Sequence, residues 1–234
     1  MKMAQPKLDN ILFLDIETAP VVYKYADLNP ATRELWDKKW AFNPDNKPSE
    51  LYNKAGVYAE FSKVICIGLG YYHQNKFRVK AITGENEKKL LEAFGELVKT
   101  HFNKADHFLC AHNGKEFDYP FLSRRMIING VAFPKNFQLQ GMKPWDVKHL
   151  DTMEMWRFGD IKNFTSLNLL ANVLNIPSPK DDMDGSQVAK VYYEEKNIDK
   201  IEKYCLKDVI TLARIYARYT GQKSPEDKDI IYTK

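Results

Sequence analysis

Residues 10–20 read Asn10-Ile11-Leu12-Phe13-Leu14-Asp15-Ile16-Glu17-Thr18-Ala19-Pro20, an apolar run interrupted by two carboxylates. A short, nearly continuous apolar run of this kind predicts a strand buried on both faces. Side chains two apart on a strand point to the same face, so Asp15 and Glu17 are expected to look into one site. Burying one carboxylate is unfavourable, and burying two like charges side by side is worse. A cation offsets that penalty most simply, so the strand asks for a metal.

At 234 residues, with 44% hydrophobic and 28% charged residues, the chain can bury a sizeable core as one large domain or two small ones. No apolar run approaches the ~18 residues of a membrane span. The first seven residues lack the apolar stretch of a secretory signal. Cys66, Cys110 and Cys205 are odd in number and far apart. They suggest neither a disulfide framework nor a zinc knuckle, and read as small core residues of a reduced, cytoplasmic protein. The formal net charge of +4 permits a polyanionic substrate without demonstrating one.

Residues 21–62 follow the first strand and contain Pro30, Pro44 and Pro48, with a short helix expected over 31–40. Residues 63–72 and 76–83 read as two strands joined by a tight turn at 73–75. The pair Gly68 and Gly70 lacks the third glycine of a dinucleotide loop and lies in a strand, so it reads as a sheet-packing feature. Residues 85–102 predict an amphipathic helix whose stripe is Leu90, Leu91, Phe94, Leu97, Val98, His101 and Phe102, with His101 packing at the helix end. A strand over 107–112, a helix over 116–129 stopped by Gly130, and a further strand over 146–152 follow. Helices are expected over 166–174, 187–195 and 198–219, and the polar tail from Gly221 is expected to be loosely held. Strands early, helices late and helices between strands predict a mixed α/β sheet with helices on both faces, in a single domain.

Two further acids stand out. In the last helix, Ile201, Cys205, Asp208, Leu212 and Ile215 share one stripe, and Asp208 interrupts it, with Tyr204 one turn earlier on the same side. An Asp at a stripe's edge can equally reach solvent. Asp118 lies in Asn113-Gly114-Lys115-Glu116-Phe117-Asp118, where the first turn of a helix already favours a carboxylate.

Taken together, Asp15-Ile16-Glu17, Asn113-Gly114-Lys115-Glu116-Phe117-Asp118 and Tyr204-Cys205-Leu206-Lys207-Asp208 resemble, in order, the three motifs of the DEDD superfamily of 3′–5′ exonucleases. The likeness is to the proofreading exonuclease domain of family B DNA polymerases and its stand-alone bacterial relatives. Leu150-Asp151-Thr152, 166–170 and 174–176 echo the same pattern, so the resemblance runs from Asn10 to Arg218, and only 21–62 has no counterpart. The histidine variant of the superfamily would carry His where this chain has Lys203, so the tyrosine (DEDDy) branch is implied.

That resemblance implies an RNase H-like domain over residues 1–220, carrying an insertion at 21–62, with 221–234 as a tail. It implies two divalent cations, Mg²⁺ or Mn²⁺, held by Asp15, Glu17, Asp118 and Asp208, since hard ions suit all-carboxylate ligation. Asp15 would bridge both ions, Glu17 and Asp208 would serve the nucleophile side, and Asp118 would hold the second ion. Tyr204, too basic at an ordinary pKa of ~10 to act as a base at neutral pH, would orient the attacking water. Thr18 would contact the terminal nucleotide, and Asn113 and Phe117 would line the path of the strand, although core packing also explains Phe117.

Lys115, Arg124 and Arg125 suit phosphate contacts or a solvated helix face. Trp36 and Trp40 suit base stacking or packing against the sheet edge. The expected substrate is the 3′ end of single-stranded nucleic acid, DNA favoured over RNA. Any polymerase or repair partner would be a separate chain. The competing expectation is a non-catalytic module of the same fold, which the loss of any one metal carboxylate would favour; all four are present.

Overall fold

The computed structural model describes residues 5–160, 162–177 and 183–233. Its centre is the strand β1 (Ile11–Pro20), the apolar run that carries Asp15 and Glu17. β1 lies between an antiparallel partner, β2 (Ser62–His73), and a parallel one, β4 (Phe108–Ala111). Outside these stand β3 (Lys76–Thr83), antiparallel to β2, and β5 (Leu150–Asp151), parallel to β4. β6 (Ile230–Tyr232) runs parallel to β3, giving the order β5-β4-β1-β2-β3-β6. Gln74 and Asn75 both take positive φ, 51° and 59°, as a two-residue hairpin between β2 and β3 requires.

Alternation along β1 sorts the two faces. Leu12, Leu14 and Ile16 pack with α3 (Glu87–His101) and α4 (Asp118–Ile128) through Leu91, Phe94, Tyr119 and Leu122. Ile11 and Phe13 face the other way, onto Val209, Leu212 and Tyr216 of α8 (Ile198–Thr220). Helices thus cover both faces of one mixed sheet. α8 is started by Asn197, whose side chain accepts the Lys200 N–H, and ends at Gly221 with φ 67°. Among the described residues no helix is long and apolar enough to cross a membrane.

Gly68 and Gly70 explain how close α8 comes. A Cβ on Gly68 would lie 2.7 Å from Cys205 Sγ and 3.2 Å from the Cys205 carbonyl oxygen. One on Gly70 would lie 2.6 Å from Val209. The glycines let the helix that carries Tyr204 and Asp208 press onto the sheet beside β1, in the packing role expected of them.

The segment after β1 builds a satellite core of its own. α1 (Pro30–Trp40) and α2 (Pro48–Leu51) enclose Leu28, Trp36, Leu51, Tyr52 and Ala55, with Trp40 packed against them. Trp36 is fully buried and donates its indole N–H to the Pro48 carbonyl. Trp36 and Trp40 therefore pack inside this unit, not against the sheet edge and not toward bases.

Other expectations need correction. Arg125 neither faces solvent nor awaits phosphate. Its buried guanidinium pairs with Glu87 at 2.5 Å and donates to the Ala59 carbonyl, tying α4 to α3. Lys115 pairs with Glu154 at 2.6 Å, while Arg124 is exposed as a solvated face requires. His101 is exposed, and Phe102 closes the helix end instead. The strand expected over 146–152 shrinks to two residues, because Asp151 caps α5 (Thr152–Arg157). The helix expected over 187–195 is irregular: α7 (Val188–Lys190) opens into a π-helical turn, Val191–Glu195. The tail is not loose, since its last residues add β6 to the sheet and Lys76 pairs with Asp229 at 2.6 Å. α6 (Leu167–Val173) falls where a helix was expected.

Replacing Gly68 by Ala should lower stability by about 1–3 kcal/mol through overpacking. Gly84→Ala, whose new Cβ would have no heavy atom within 4 Å, should change little. Thermal melts of the two variants check this.

Candidate metal and catalytic site

The site forms where β4 leaves β1. Their pairing ends at Phe13–Cys110, and the chain then turns through residues 112–117 into α4. Beyond that point the edge of β1 is open, and the carboxylate of Asp118 accepts a hydrogen bond from the Ile16 backbone N–H. Asp118 is thereby held between the positions of Asp15 and Glu17. It is 3% exposed and also accepts from its own backbone N–H at the start of α4.

Asp15 and Glu17 face α8, as the alternation requires. Their carboxyl groups hydrogen-bond to each other, a contact that two ionised groups cannot hold without a shared proton or a cation. Cys205 completes the contact from α8, its Sγ lying 3.5 Å from both the Asp15 carbonyl oxygen and Asp15 Oδ2. One ligand atom from each of Asp15, Glu17 and Cys205 falls within 4.8 Å of the others. Asp208 is close enough to oppose ionisation of both Asp15 and Glu17, and Tyr204 donates its hydroxyl hydrogen to Asp208. Six residues spread over some two hundred positions of sequence thus meet at the middle of β1, just past the point where β4 leaves it.

Burial is the largest cause of every shifted pKa here. It pushes Asp15 and Glu17 well above the carboxylate range; the charges of Glu17, Asp208 and Asp118 add to it at Asp15, and those of Asp208 and Asp118 at Glu17, where the hydrogen bond with Asp15 opposes it. Burial likewise raises Asp118 to about 8, opposed by the two N–H donors. It raises Tyr204 too, reinforced by Asp208, so the phenol stays protonated and serves as a donor. The Cys205 thiol is also pushed up, by burial and then by Cys66 and the nearby acids, so it donates hydrogen and is no thiolate ligand. What remains is a set of hard oxygen donors, which fits Mg²⁺ or Mn²⁺ and not a thiolate-bound zinc.

The residues expected to touch substrate are less alike. Thr18 follows a register shift at Glu17/Thr18 in the β1–β2 ladder. Its hydroxyl donates to the Gly56 carbonyl at 2.7 Å, so the satellite core is stapled to the strand that carries the acids. Asn113 adopts a left-handed φ of 62°, and its side-chain oxygen is buried with no hydrogen-bond partner among the described residues. Phe117 is half-buried against the α3–α4 core, with its ring 5.2 Å from Phe121.

One further residue, Asp151, organises the site. The buried carboxylate of Asp151 accepts from the Asn113 and Lys115 N–H groups, each at 3.0 Å, and from Met153 and Glu154 at the start of α5. It thereby sets the turn that delivers Asp118. The motif Leu150-Asp151-Thr152 marked the position but not its use. Cys205 was read simply as core, and nothing in its spacing told which carboxylate it would meet.

These shifts carry a pH dependence. A carboxylate whose folded pKa lies above its unfolded value contributes stability at low pH that is lost as pH rises through the folded value. In metal-free protein the Asp118 contribution should fade between about pH 4 and about pH 8. Asp118→Asn should therefore raise the metal-free Tm at pH 8 and leave it nearly unchanged at pH 4. Mg²⁺ or Mn²⁺ should raise the wild-type Tm more at pH 8 than at pH 5. Thermal shift across pH, with EDTA and with metal, checks both.

The structure is similar to that of the family B DNA polymerase from the hyperthermophilic archaeon Pyrobaculum calidifontis, with a TM-score of 0.54 and 16% sequence identity. The match covers 89% of this chain and 24% of the polymerase chain, so this protein spans about a quarter of that length. A weaker likeness, TM-score 0.44 at 12% identity, is to the RNase domain of the yeast Pop2 protein, covering 93% of this chain and 80% of that one. The architecture is the RNase H-like one expected from the motifs. By sequence, residues 57–229 match a family described as a predicted 3′–5′ exonuclease related to the exonuclease domain of PolB. β1 and its two carboxylates fall outside that stretch, and the fold supplies them. With well over half of its length matched, the chain belongs to this family of PolB-related predicted 3′–5′ exonucleases.

Proposed function

We propose that this protein is a metal-dependent 3′–5′ exonuclease that removes nucleotides from the 3′ end of single-stranded nucleic acid, DNA favoured over RNA. One observation carries the reading: four carboxylates from β1, α4 and α8 converge at one end of the sheet, in an arrangement that burial makes unfavourable without cations. Two like charges ~5 Å apart at an effective dielectric of ~20 repel by roughly 3 kcal/mol.

In the proposed reaction a water oxygen attacks the terminal phosphorus and the bond from phosphorus to the 3′ oxygen breaks. A nucleoside 5′-monophosphate leaves, and the strand, one residue shorter, keeps a 3′ hydroxyl. Asp15, Glu17, Asp118 and Asp208 would hold the divalent ions. Held there, Mg²⁺ or Mn²⁺ would lower the pKa of the attacking water and offset the charge on the departing oxygen.

The rest falls to the chain's own groups. Tyr204, kept protonated, orients the attacking water from its place beside Asp208. The Asp151 hydrogen bonds keep the turn before Asp118 in place, and the thiol of Cys205 steadies Asp15. Asn113 brings an unsatisfied acceptor, and Thr18 sits where the strand bulges beside Glu17. A partner polymerase or repair protein in another chain is compatible with this reading.

The assay uses purified protein, Mg²⁺ or Mn²⁺, and 5′-labelled single strands of DNA and of RNA. Stepwise shortening from the 3′ end is expected. Asp15→Ala should abolish it, and Tyr204→Phe should reduce kcat by about tenfold or more, as loss of one orienting hydrogen bond worth roughly 1–2 kcal/mol predicts. Inactivity on both polymers with both metals would leave the non-catalytic binding module as the better description.

A further inference from the structure

Two large aromatic side chains stand in water beside the site and play no part in the chemistry above. Phe158 is 90% exposed and Phe164 is 66% exposed, although the protein has ample core to bury them. Phe158 also holds a left-handed backbone, φ 46° and ψ 34°, at the end of α5. For a bulky side chain that conformation is strained, and nothing packed against the ring offsets it. Strain and an exposed apolar ring together are what a binding surface retains and a purely structural position sheds.

Their placement is fixed relative to the turn that delivers Asp118. Arg157, next to Phe158, donates to Glu116 at 3.2 Å and to the Asn163 carbonyl at 3.0 Å. Thr165, next to Phe164, accepts from His112 at 2.8 Å. Both aromatic positions are therefore tied to residues 112–116, which hold Asn113 and lead directly into Asp118. The Arg157–Asn163 hydrogen bond also brings the two positions to the same neck of the loop. Exposed Asp160 and Lys162 lie between them in sequence with opposite charges, so it is the rings and not a net charge that distinguish this loop.

We propose that Phe158 and Phe164 form a stacking platform for the bases of the single strand as it approaches the acid cluster. The inference rests on the exonuclease reading for its substrate class. Nucleic acid is favoured over a protein partner because both ring positions are tied, through Arg157 and Thr165, to the turn that leads into Asp118, toward which the proposed substrate strand must run. Bases of any identity stack on such rings, so the platform grips a strand without selecting its sequence. It acts on nucleotides upstream of the scissile bond and leaves the chemical step alone.

The test compares wild type with the Phe158→Ala/Phe164→Ala double variant, using fluorescein-labelled dT12 and the dinucleotide dT2. Anisotropy with Ca²⁺ in place of Mg²⁺ should show dT12 binding weakened by about tenfold or more, in line with losing base–aromatic stacking. With Mn²⁺, the KM for dT12 should rise similarly, while kcat and the rate on dT2 stay within about twofold of wild type.

Phe158→Gly should weaken dT12 binding too, yet melt no lower than wild type, because glycine relieves the left-handed strain. Wild type that binds dT12 no better than the double variant overturns the platform, whether or not it cleaves. Equal losses on dT12 and dT2 also overturn it. Wild type that binds dT12 through these rings but hydrolyses neither DNA nor RNA would sustain the platform and defeat the exonuclease reading.

Discussion

Repulsion among like charges is the constraint from which this structure follows. Glu17 is buried and Asp15 half-buried on an interior strand of the sheet, where solvent screens them poorly, and Asp118 and Asp208 are brought to the same place. A chain optimised only for stability would place apolar side chains there, as it does at every other position of β1 from Ile11 to Ile16. The surrounding architecture works against the penalty. Backbone N–H groups support Asp118, a thiol steadies Asp15, and a phenol donates to Asp208. None of these neutralises charge, and they leave a centre that is complete only with protons or cations.

The same constraint explains several packing details. α8 has to approach β1 closely enough for Cys205, Tyr204 and Asp208 to reach it, and Gly68 and Gly70 clear the way. The turn before α4 has to be stiff, and one buried carboxylate, Asp151, fixes four N–H groups to make it so. Glu87 holds α4 from the other end by engaging Arg125 and Asn129, and it also accepts the Val64 N–H of β2. Rigidity around the acids is distributed over three elements, so the site does not depend on any one loop.

Much of this was legible in the sequence because it rests on local pattern. The apolar period of β1 showed which way Asp15 and Glu17 point, and the stripe of α8 put Tyr204 and Asp208 on one side. The meeting of Asp118 with β1 was not legible from periodicity, since it depends on where β4 stops pairing. Only the order of the three motifs suggested it. Arg125 was misjudged because its partner Glu87 lies 38 positions away and no spacing rule joins them. The tail was misjudged because three residues of strand carry too short a pattern to register, yet an open β3 edge suffices to bind them. The satellite core within 21–62 was equally opaque, for Trp36, Trp40, Tyr52, Tyr58 and Phe61 pack on one another and not on the sheet.

The central claim is that the acids form one cation site shared between strands and helices distant in sequence. Counting bound Mn²⁺ by electron paramagnetic resonance at pH 8 tests it most directly, because the free ion's signal falls as sites fill. Two ions per wild-type chain, with at least one lost in Asp15→Asn and in Asp118→Asn alike, is the expected outcome. No binding at millimolar Mn²⁺, or binding that neither substitution alters, would contradict the account.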